Sequence, residues 1–300
     1  KKISVENYND ACKKAVMKYT DVWNDLTKKM GYWVDMDSPY ITFENKYIES
    51  VWWLLGQLDK KDLMYKGYTI QPYSPAAGTG LSSHELNQPG CYQNVKDTTV
   101  VAQFKAKPNP ILPKNTFFIA WTTTPWTLPS NTALCVGPKI EYVLIETFNQ
   151  YTHEPINVVL AKGLIKSLFN DKYYELEDGS TLSYKSGDKK IPYFLKKVVL
   201  GVDLENIEYE QLMPFALPYE NSANAFKVIL GDFVTTEDGT GIVHIAPTFG
   251  QDDAQVAQAA GVPPMLVLDE NDNPVPLVDL QGRFKSGMGQ YSGKYVKNEY

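Results

Sequence analysis

The sequence predicts an α+β fold that is mainly β, with a helical segment over residues 1–90 and a β-barrel with inserted helices over residues 91–300. Three observations carry this expectation. Apolar residues recur at helical spacing up to about residue 61. A stretch rich in proline, glycine and serine then interrupts the pattern between residues 68 and 90. Beyond it, apolar residues come in short β-type runs separated by irregular loops.

The helical part has two pieces. Ala11, Ala15, Tyr19, Val22, Trp23, Leu26 and Met30 follow helical spacing, and Gly31 stands where a helix would end, so one amphipathic helix is expected over residues 7–30. A second is expected from an N-cap at Thr42 through "ENKYIESVWWLLGQLDKK", with Ile48, Val51, Trp52, Leu55 and Leu58 on its apolar face and Trp52 and Trp53 as packing anchors. "YTIQPYSPAAGTGLSSHELNQPG" is the boundary.

The strand candidates are residues 98–106, 115–124, 141–147, 156–165, 196–204, 226–235 and 240–247. Asp238-Gly239 lies between the last two and favours a type I′ turn, so these strands are expected to pair as a hairpin. Period two then puts Ile242, His244 and Ala246 on one face. "GQDDAQVAQAAG" reads as a short helix opened by Asp252 or Asp253 and closed by Gly261. Many short strands with this grammar point to a barrel or a strongly curved sheet.

Composition bounds the function classes. The chain has 300 residues, 43% of them hydrophobic and 13% aromatic, which excludes a disordered polymer. With 29 Lys+Arg against 35 Asp+Glu the net charge is −6, so the broad basic face of a nucleic-acid binder is missing and any RNA contact must be local. Cys12, Cys91 and Cys135 are far apart, and His84, His153 and His244 do not cluster with them. No zinc spacing results, and a reducing, cytoplasmic compartment fits. No membrane segment or signal peptide is read, and the absence of an initial methionine leads us to expect a piece of a longer protein; the piece itself is expected to be monomeric.

Two places could carry chemistry. "AWTTTPWTLPSNTAL" sets Thr122, Thr123 and Thr124 at a strand end just before Pro125, which removes a backbone donor and ends regular pairing. Hydroxyls both donate and accept, so such a row can hold ribose hydroxyls, a carbonyl or a water, although threonine also simply favours strands. The second place is the junction from the strand bearing His244, across "PTFG", to Asp252 and Asp253. By default the histidine is a core residue and the aspartates are helix caps, yet the junction can present an imidazole and a carboxylate to one pocket.

Together these segments, "AWTTTPWTLPSNTAL" and "DFVTTEDGTGIVHIAPTFGQDD", resemble the two signature segments of the editing domain inserted into isoleucyl-tRNA synthetases. "VWWLLGQLDKKDLMYKGY" and "PYSPAAGTGLSSHEL" are similar to the connective region before that domain, and "GRFKSGMGQYSGKYVK" to its exit. Valyl and leucyl relatives read TTRPE or TTRPD where this chain has Thr124-Pro125-Trp126, which points to the isoleucyl branch. The lack of cysteine in "PYSPAAGTGL" points to a eukaryote-like cytosolic enzyme.

The resemblance implies a proofreading hydrolase that deacylates Val-tRNA(Ile), and possible action on valyl-adenylate follows from the same site. Catalytic positions are then Asp253, matching the aspartate that anchors the substrate's α-ammonium, His244, matching the residue that narrows the pocket against isoleucine, and Thr123 and Thr124. Thr122, Trp126, Thr127 and Asn131 match substrate-binding positions around the terminal adenosine and aminoacyl group. Asp252 stays a helix cap. No metal or cofactor is expected in this chain. Neither nucleotide motif of the parent enzyme is found, so ATP and Mg belong to the parent's synthetic domain. The implied partners are the 3′ CCA end of tRNA(Ile) carrying valine and the remaining domains of the parent. A valyl- or leucyl-type editing domain and a non-catalytic β-barrel that binds RNA or a protein partner are the alternatives.

Overall fold

The computed structural model describes residues 3–67, 69–177, 182–185 and 187–297. The chain divides into two compact units, Lys1–Tyr68 and Thr69–Tyr300. The first holds α1 (Val5–Met17), α2 (Thr20–Lys29) and α3 (Asn45–Asp59). The helix expected over residues 7–30 is therefore two helices. The Thr20 hydroxyl donates to the Met17 carbonyl at 2.9 Å, and Tyr19 leaves helical geometry at φ −114° and ψ 17°. A side-chain bond of this kind competes with the helix backbone and marks the break. Helix α3 begins after Glu44, not at Thr42, because Glu44 N–H bonds to the Ile41 carbonyl and draws Thr42 into a turn. No residue of α1–α3 is buried, and Trp52 and Trp53 are exposed rather than packing anchors.

The second unit opens with a two-stranded ribbon, β1 (Tyr73–Ser74) and β2 (Thr79–Gly80), and a single helical turn, α4 (Ser83–Leu86). Then come β3 (Val100–Lys105), β4 (Thr116–Thr122), β5 (Ala133–Val136), β6 (Glu141–Phe148), β7 (Pro155–Ala161), α5 (Ile165–Leu168), β8 (Tyr173–Glu175) and β9 (Ile191–Leu200). The remainder is β10 (Lys227–Leu230), β11 (Ile242–Ile245), α6 (Gln251–Ala259), β12 (Val267–Leu268) and β13 (Pro274–Val275).

Six strands form a mixed sheet in the order β3-β4-β7-β6-β9-β8. Its central strands are buried on both faces, as continuous apolar runs such as "EYVLIETF" require. Phe118, Ala120, Tyr142, Leu144 and Val159 enter the main core on one face. Ile119, Val143, Ile145, Val158 and Leu160 enter a second core on the other.

A three-stranded sheet, β10-β5-β11, holds the strand that bears His244. The expected β10–β11 hairpin does not form. β10 runs parallel to β5, β11 runs antiparallel to it, and β5 lies between them. "ALCV" is buried throughout: Leu134 and Val136 enter the main core, Ala133 and Cys135 a third one, and the central place pairs both its edges. A type I′ turn also needs positive φ at both central residues, and of the Asp238-Gly239 pair only Gly239 has it, at 75°.

Among the described residues the expected β-barrel does not close either. The two sheets meet through single bridges, Ala106 with Tyr209 and Glu208 with Lys227, instead of a continuous ladder. β5, β10 and β11 have four residues each, too short for the stagger that barrel closure demands. The result is a mixed α/β unit with the His244 sheet beside the end of β4. Gly241, at φ 72°, lets the start of β11 approach the end of β7, since a Cβ there would lie 2.3 Å from Ala161 Cβ.

Candidate functional site

Strand β4 ends at Thr122, and the chain enters a 3-10 turn, Pro125–Ser130, with proline at its first position where no amide donor is needed. Thr122 is buried, while Thr123 and Thr124 are exposed. The Thr122 hydroxyl accepts from the Thr124 amide at 3.1 Å and lies 3.4 Å from the Thr124 hydroxyl. Two hydroxyls thus stand side by side in the lining of a cavity of about 370 Å³.

Opposite this row, β11 presents His244 and the first turn of α6 presents Asp253. The threonines, Trp126, Thr127, His244 and Asp253 all line the same cavity. Of the sequence-derived site residues, only Asn131 stands behind the wall instead of in it. Asp252 sits in the first turn of α6 and does not line the cavity.

Asn131 explains the state of His244. Its Nδ2 lies 2.7 Å from the Ala133 carbonyl, 3.4 Å from the Ile245 carbonyl and 2.9 Å from His244 Nδ1, while its Oδ1 accepts from the Tyr209 hydroxyl at 2.6 Å. Carbonyl oxygens on one side and a hydroxyl on the other orient the amide. An amide nitrogen only donates, so His244 Nδ1 accepts and the ring proton sits on Nε2. Nε2–H then donates to Thr127 Oγ1 at 2.9 Å, and Thr127 donates onward to the Thr124 carbonyl at 2.8 Å. Both imidazole nitrogens are occupied by protein. Burial lowers the His244 pKa from 6.5 to about 4, which keeps the ring neutral at pH 7. What it offers the cavity is a rigid wall, not a free base.

Asp253 is placed by a different device. Gly250 is the N-cap of α6, and Asp253 reaches back so that its Oδ2 accepts from the Ala246 amide at 2.8 Å. A Cβ at Gly250 would lie 2.7 Å from the carboxylate, so glycine makes room for it. Burial raises the Asp253 pKa, the Ala246 bond works against that rise, and the Asp252 charge adds to it. A cation entering the cavity would offset the burial and favour the charged carboxylate. Cys135, the thiol whose surroundings Asp253 also influences, is pushed up to about 12, chiefly by burial, and stays protonated.

Trp121, Val243, Ala246 and Phe249 complete the lining. The Trp126 and Phe249 rings meet edge to face with centroids 4.7 Å apart. Phe249 and Tyr209 escaped the sequence reading: Phe249 falls in an irregular connection, and nothing in "IEYEQL" marks Tyr209 as a partner of Asn131. The spacing from Ala246 to Asp253 was the one available signal, a strand-end amide facing a helix first turn. Among the described residues no group of three or more His, Cys, Asp or Glu side chains could hold a metal.

The family model "tRNA synthetases class I (I, L, M and V)" matches residues 1–245. The chain belongs to the class I tRNA synthetases. Its relatives include the isoleucine–tRNA ligase of Cytophaga hutchinsonii, 60% identical over 300 residues covering 100% of this chain and 26% of that protein. The isoleucine–tRNA ligase of Clostridium tetani is 40% identical over 296 residues, covering 99% of this chain and 24% of that protein. This class I synthetase chain thus spans about a quarter of the length of the curated relatives it matches. Those relatives are bacterial, which corrects the eukaryote-like expectation. Among solved structures, the one entitled "The crystal structure of GlLeuRS-CP1" has a TM-score of 0.38 at 18% identity, covering 60% of this chain and 70% of that one. A likeness that weak carries no argument about the synthetase chain.

Proposed function

We propose that this cavity is the proofreading site of an isoleucine–tRNA ligase, which hydrolyses the ester of valine misattached to tRNA(Ile). The observation that carries the reading is that one cavity is lined both by the Asp253 carboxylate and by a His244 ring whose two nitrogens are already bonded. Support comes from the names of the relatives, isoleucine–tRNA ligases.

The need for a second site is physical. Valine lacks one methylene of isoleucine, and such a difference yields roughly 1–3 kcal/mol of discrimination, for which isoleucyl-tRNA synthetases are themselves the standard illustration. A second cavity that admits valine and is too small for isoleucine supplies the rest.

Each residue takes a role in this reading. Asp253 Oδ2 is held by Ala246 N–H, which leaves Oδ1 to anchor the α-ammonium. His244 limits the length of the amino-acid side chain. The Thr122 and Thr124 hydroxyls, with Thr123 at the mouth, hold the ribose and a water, and Trp126 with Phe249 flanks the terminal base. The water oxygen bonds to the ester carbonyl, the bond to the ribose oxygen breaks, and the water's proton ends on that ribose oxygen. An aminoacyl ester is activated, so orientation supplies much of the acceleration without a protein nucleophile. The remaining domains of the parent hold the tRNA body and carry the ATP- and magnesium-dependent synthesis. That division of labour accounts for a net charge of −6 in a chain that grips only the CCA end. The enzyme is assigned to the cytoplasm with the rest of translation.

The test is deacylation of Val-tRNA(Ile) by the full-length enzyme. Asp253→Ala is expected to slow it roughly a hundredfold, a loss of about 3 kcal/mol in transition-state stabilisation. Undiminished hydrolysis removes the assignment. In parallel, His244→Ala is expected to begin hydrolysing Ile-tRNA(Ile), and untouched cognate tRNA would sink the wall role.

A further inference from the structure

Trp121 lines the proofreading cavity and also stands on the β4 face that carries Ile119, opposite the face of Phe118 and Ala120. Val101 of β3 lies directly across from it in the antiparallel register, so the two side chains share that face. β3 is the last strand of the six-stranded sheet, and both residues are open to solvent, Trp121 at 37% and Val101 at 43%. The shelf they make leads onward. Val101, Gln103 and Ile119 line a further cavity of about 580 Å³ on the same face.

The indole is held from one side. Gly239 has φ 75°, and a Cβ there would lie 3.2 Å from Trp121 Cε3 and 3.7 Å from Trp121 Cβ, so the backbone of this turn rests against the side chain. The two residues before that glycine, Glu237 and Asp238, are exposed acids.

We propose that Trp121 is a stacking platform, backed by the Gly239 turn and continued by Val101, for the base of the nucleotide that precedes the terminal adenosine of the tRNA. The role rests on the proofreading reading, which puts that adenosine in the cavity.

The path follows from connectivity. In that reading the terminal ribose lies on Thr122, Thr123 and Thr124, the residues directly after Trp121 in the chain. The ribose is joined through its 5′ phosphate to the preceding nucleotide, which therefore starts at the threonine row and leaves the cavity over its rim. An exposed indole beside a valine is a surface on which a base can lie, because every base has a π-face and stacking needs no particular hydrogen bond. The phosphate finds no such welcome. Glu237 and Asp238 repel it, and among the described residues no Lys or Arg lines the proofreading cavity. The base thus turns to the shelf and the phosphate to solvent.

The experiment is a cycle between enzyme and substrate, run with the full-length enzyme. The substrates are Val-tRNA(Ile) and the same tRNA with an abasic nucleotide before the terminal adenosine, which keeps the ribose and phosphate and lacks only the base. Wild type is expected to lose roughly tenfold in kcat/KM on the abasic tRNA, chiefly through KM, the scale of one base–aromatic stack. Trp121→Ala is expected to lose the same factor on intact tRNA and nothing further on the abasic one. Trp121→Phe, which keeps an aromatic face, is expected to retain most of the preference for intact tRNA. Two losses that multiply overturn the platform, because they place the indole and the base in separate interactions. Wild type that hydrolyses both tRNAs alike overturns it too, and in either case proofreading itself stands. Wild type that hydrolyses neither tRNA removes the proofreading reading and the platform with it.

Discussion

His244 Nδ1 accepts a hydrogen bond from Asn131 Nδ2 at 2.9 Å while its Nε2 is bonded to Thr127 Oγ1 at the same distance. An imidazole held at both ends in this way cannot take up a proton without turning a donor against a donor. Its burial acts in the same direction, placing its pKa at about 4.

The first prediction is therefore an acid-linked loss of stability. The unfolded pKa is 6.5 and the folded one about 4, so between these values the unfolded chain binds a proton that the folded chain refuses. Stability from this group is intact above pH 6.5 and falls as pH drops, by roughly 3 kcal/mol in total at ~1.4 kcal/mol per unit. Asp253, whose folded pKa is raised, contributes with the opposite sign: its burial penalty grows as pH rises and is relieved by acid. Urea unfolding of wild type and His244→Gln across this window isolates the histidine term. Parallel pH curves would show that His244 is not the responsible group.

A second prediction concerns Gly250→Ala. Its φ of −101° suits alanine, so backbone strain is not the cause of any effect. The added Cβ meets the Asp253 carboxylate at 2.7 Å and displaces it from the Ala246 amide. Loss of that charge-assisted bond is expected to cost about 1.5–3 kcal/mol and to slow Val-tRNA(Ile) deacylation in the full-length enzyme. Wild-type melting and wild-type deacylation together would mean that the loop yields and leaves Asp253 in place.

The threonine row and Thr127 in the turn after it offer a third prediction, a contrast between two isosteric changes. Thr127→Val strands His244 Nε2–H inside the protein, and is expected to destabilise by about 1–3 kcal/mol. Thr123→Val alters an exposed hydroxyl with no bond to the protein among those observed, so stability should change by less than about 0.5 kcal/mol while deacylation falls. Chemical denaturation and single-turnover deacylation separate the two. Equal melting losses for both variants would return the row to an ordinary strand end.

How much of this was legible beforehand differs from residue to residue. The apolar runs of β3, β4, β6 and β7 could be read because each is short and rich in β-branched and aromatic residues, a property of the local chain itself. The proline after Thr124 announced the strand end, and Gly261 the end of α6, for equally local reasons. The hairpin failed because nothing near Asp238-Gly239 records that "ALCV", a hundred residues earlier, would take the place between β10 and β11. The barrel failed for the same reason: strand pairing is non-local, and short runs do not say whether their ladders close.

The site divides along the same line. The sequence by itself determined which groups were on hand: a row of hydroxyls before a proline, a histidine on an apolar strand, and an acidic pair opening a helix, in an order that resembles one family of synthetases. Only the tertiary structure decided what each group could do. It set Asn131 behind His244, with its amide oriented by the Ala133 and Ile245 carbonyls, brought the Tyr209 hydroxyl within reach of its Oδ1, and bent Asp253 back onto the Ala246 amide. Proton positions and the availability of a lone pair depend on neighbours within hydrogen-bonding distance. Tyr209 and Asn131 reach that distance across 78 residues of chain, a separation that no local pattern encodes.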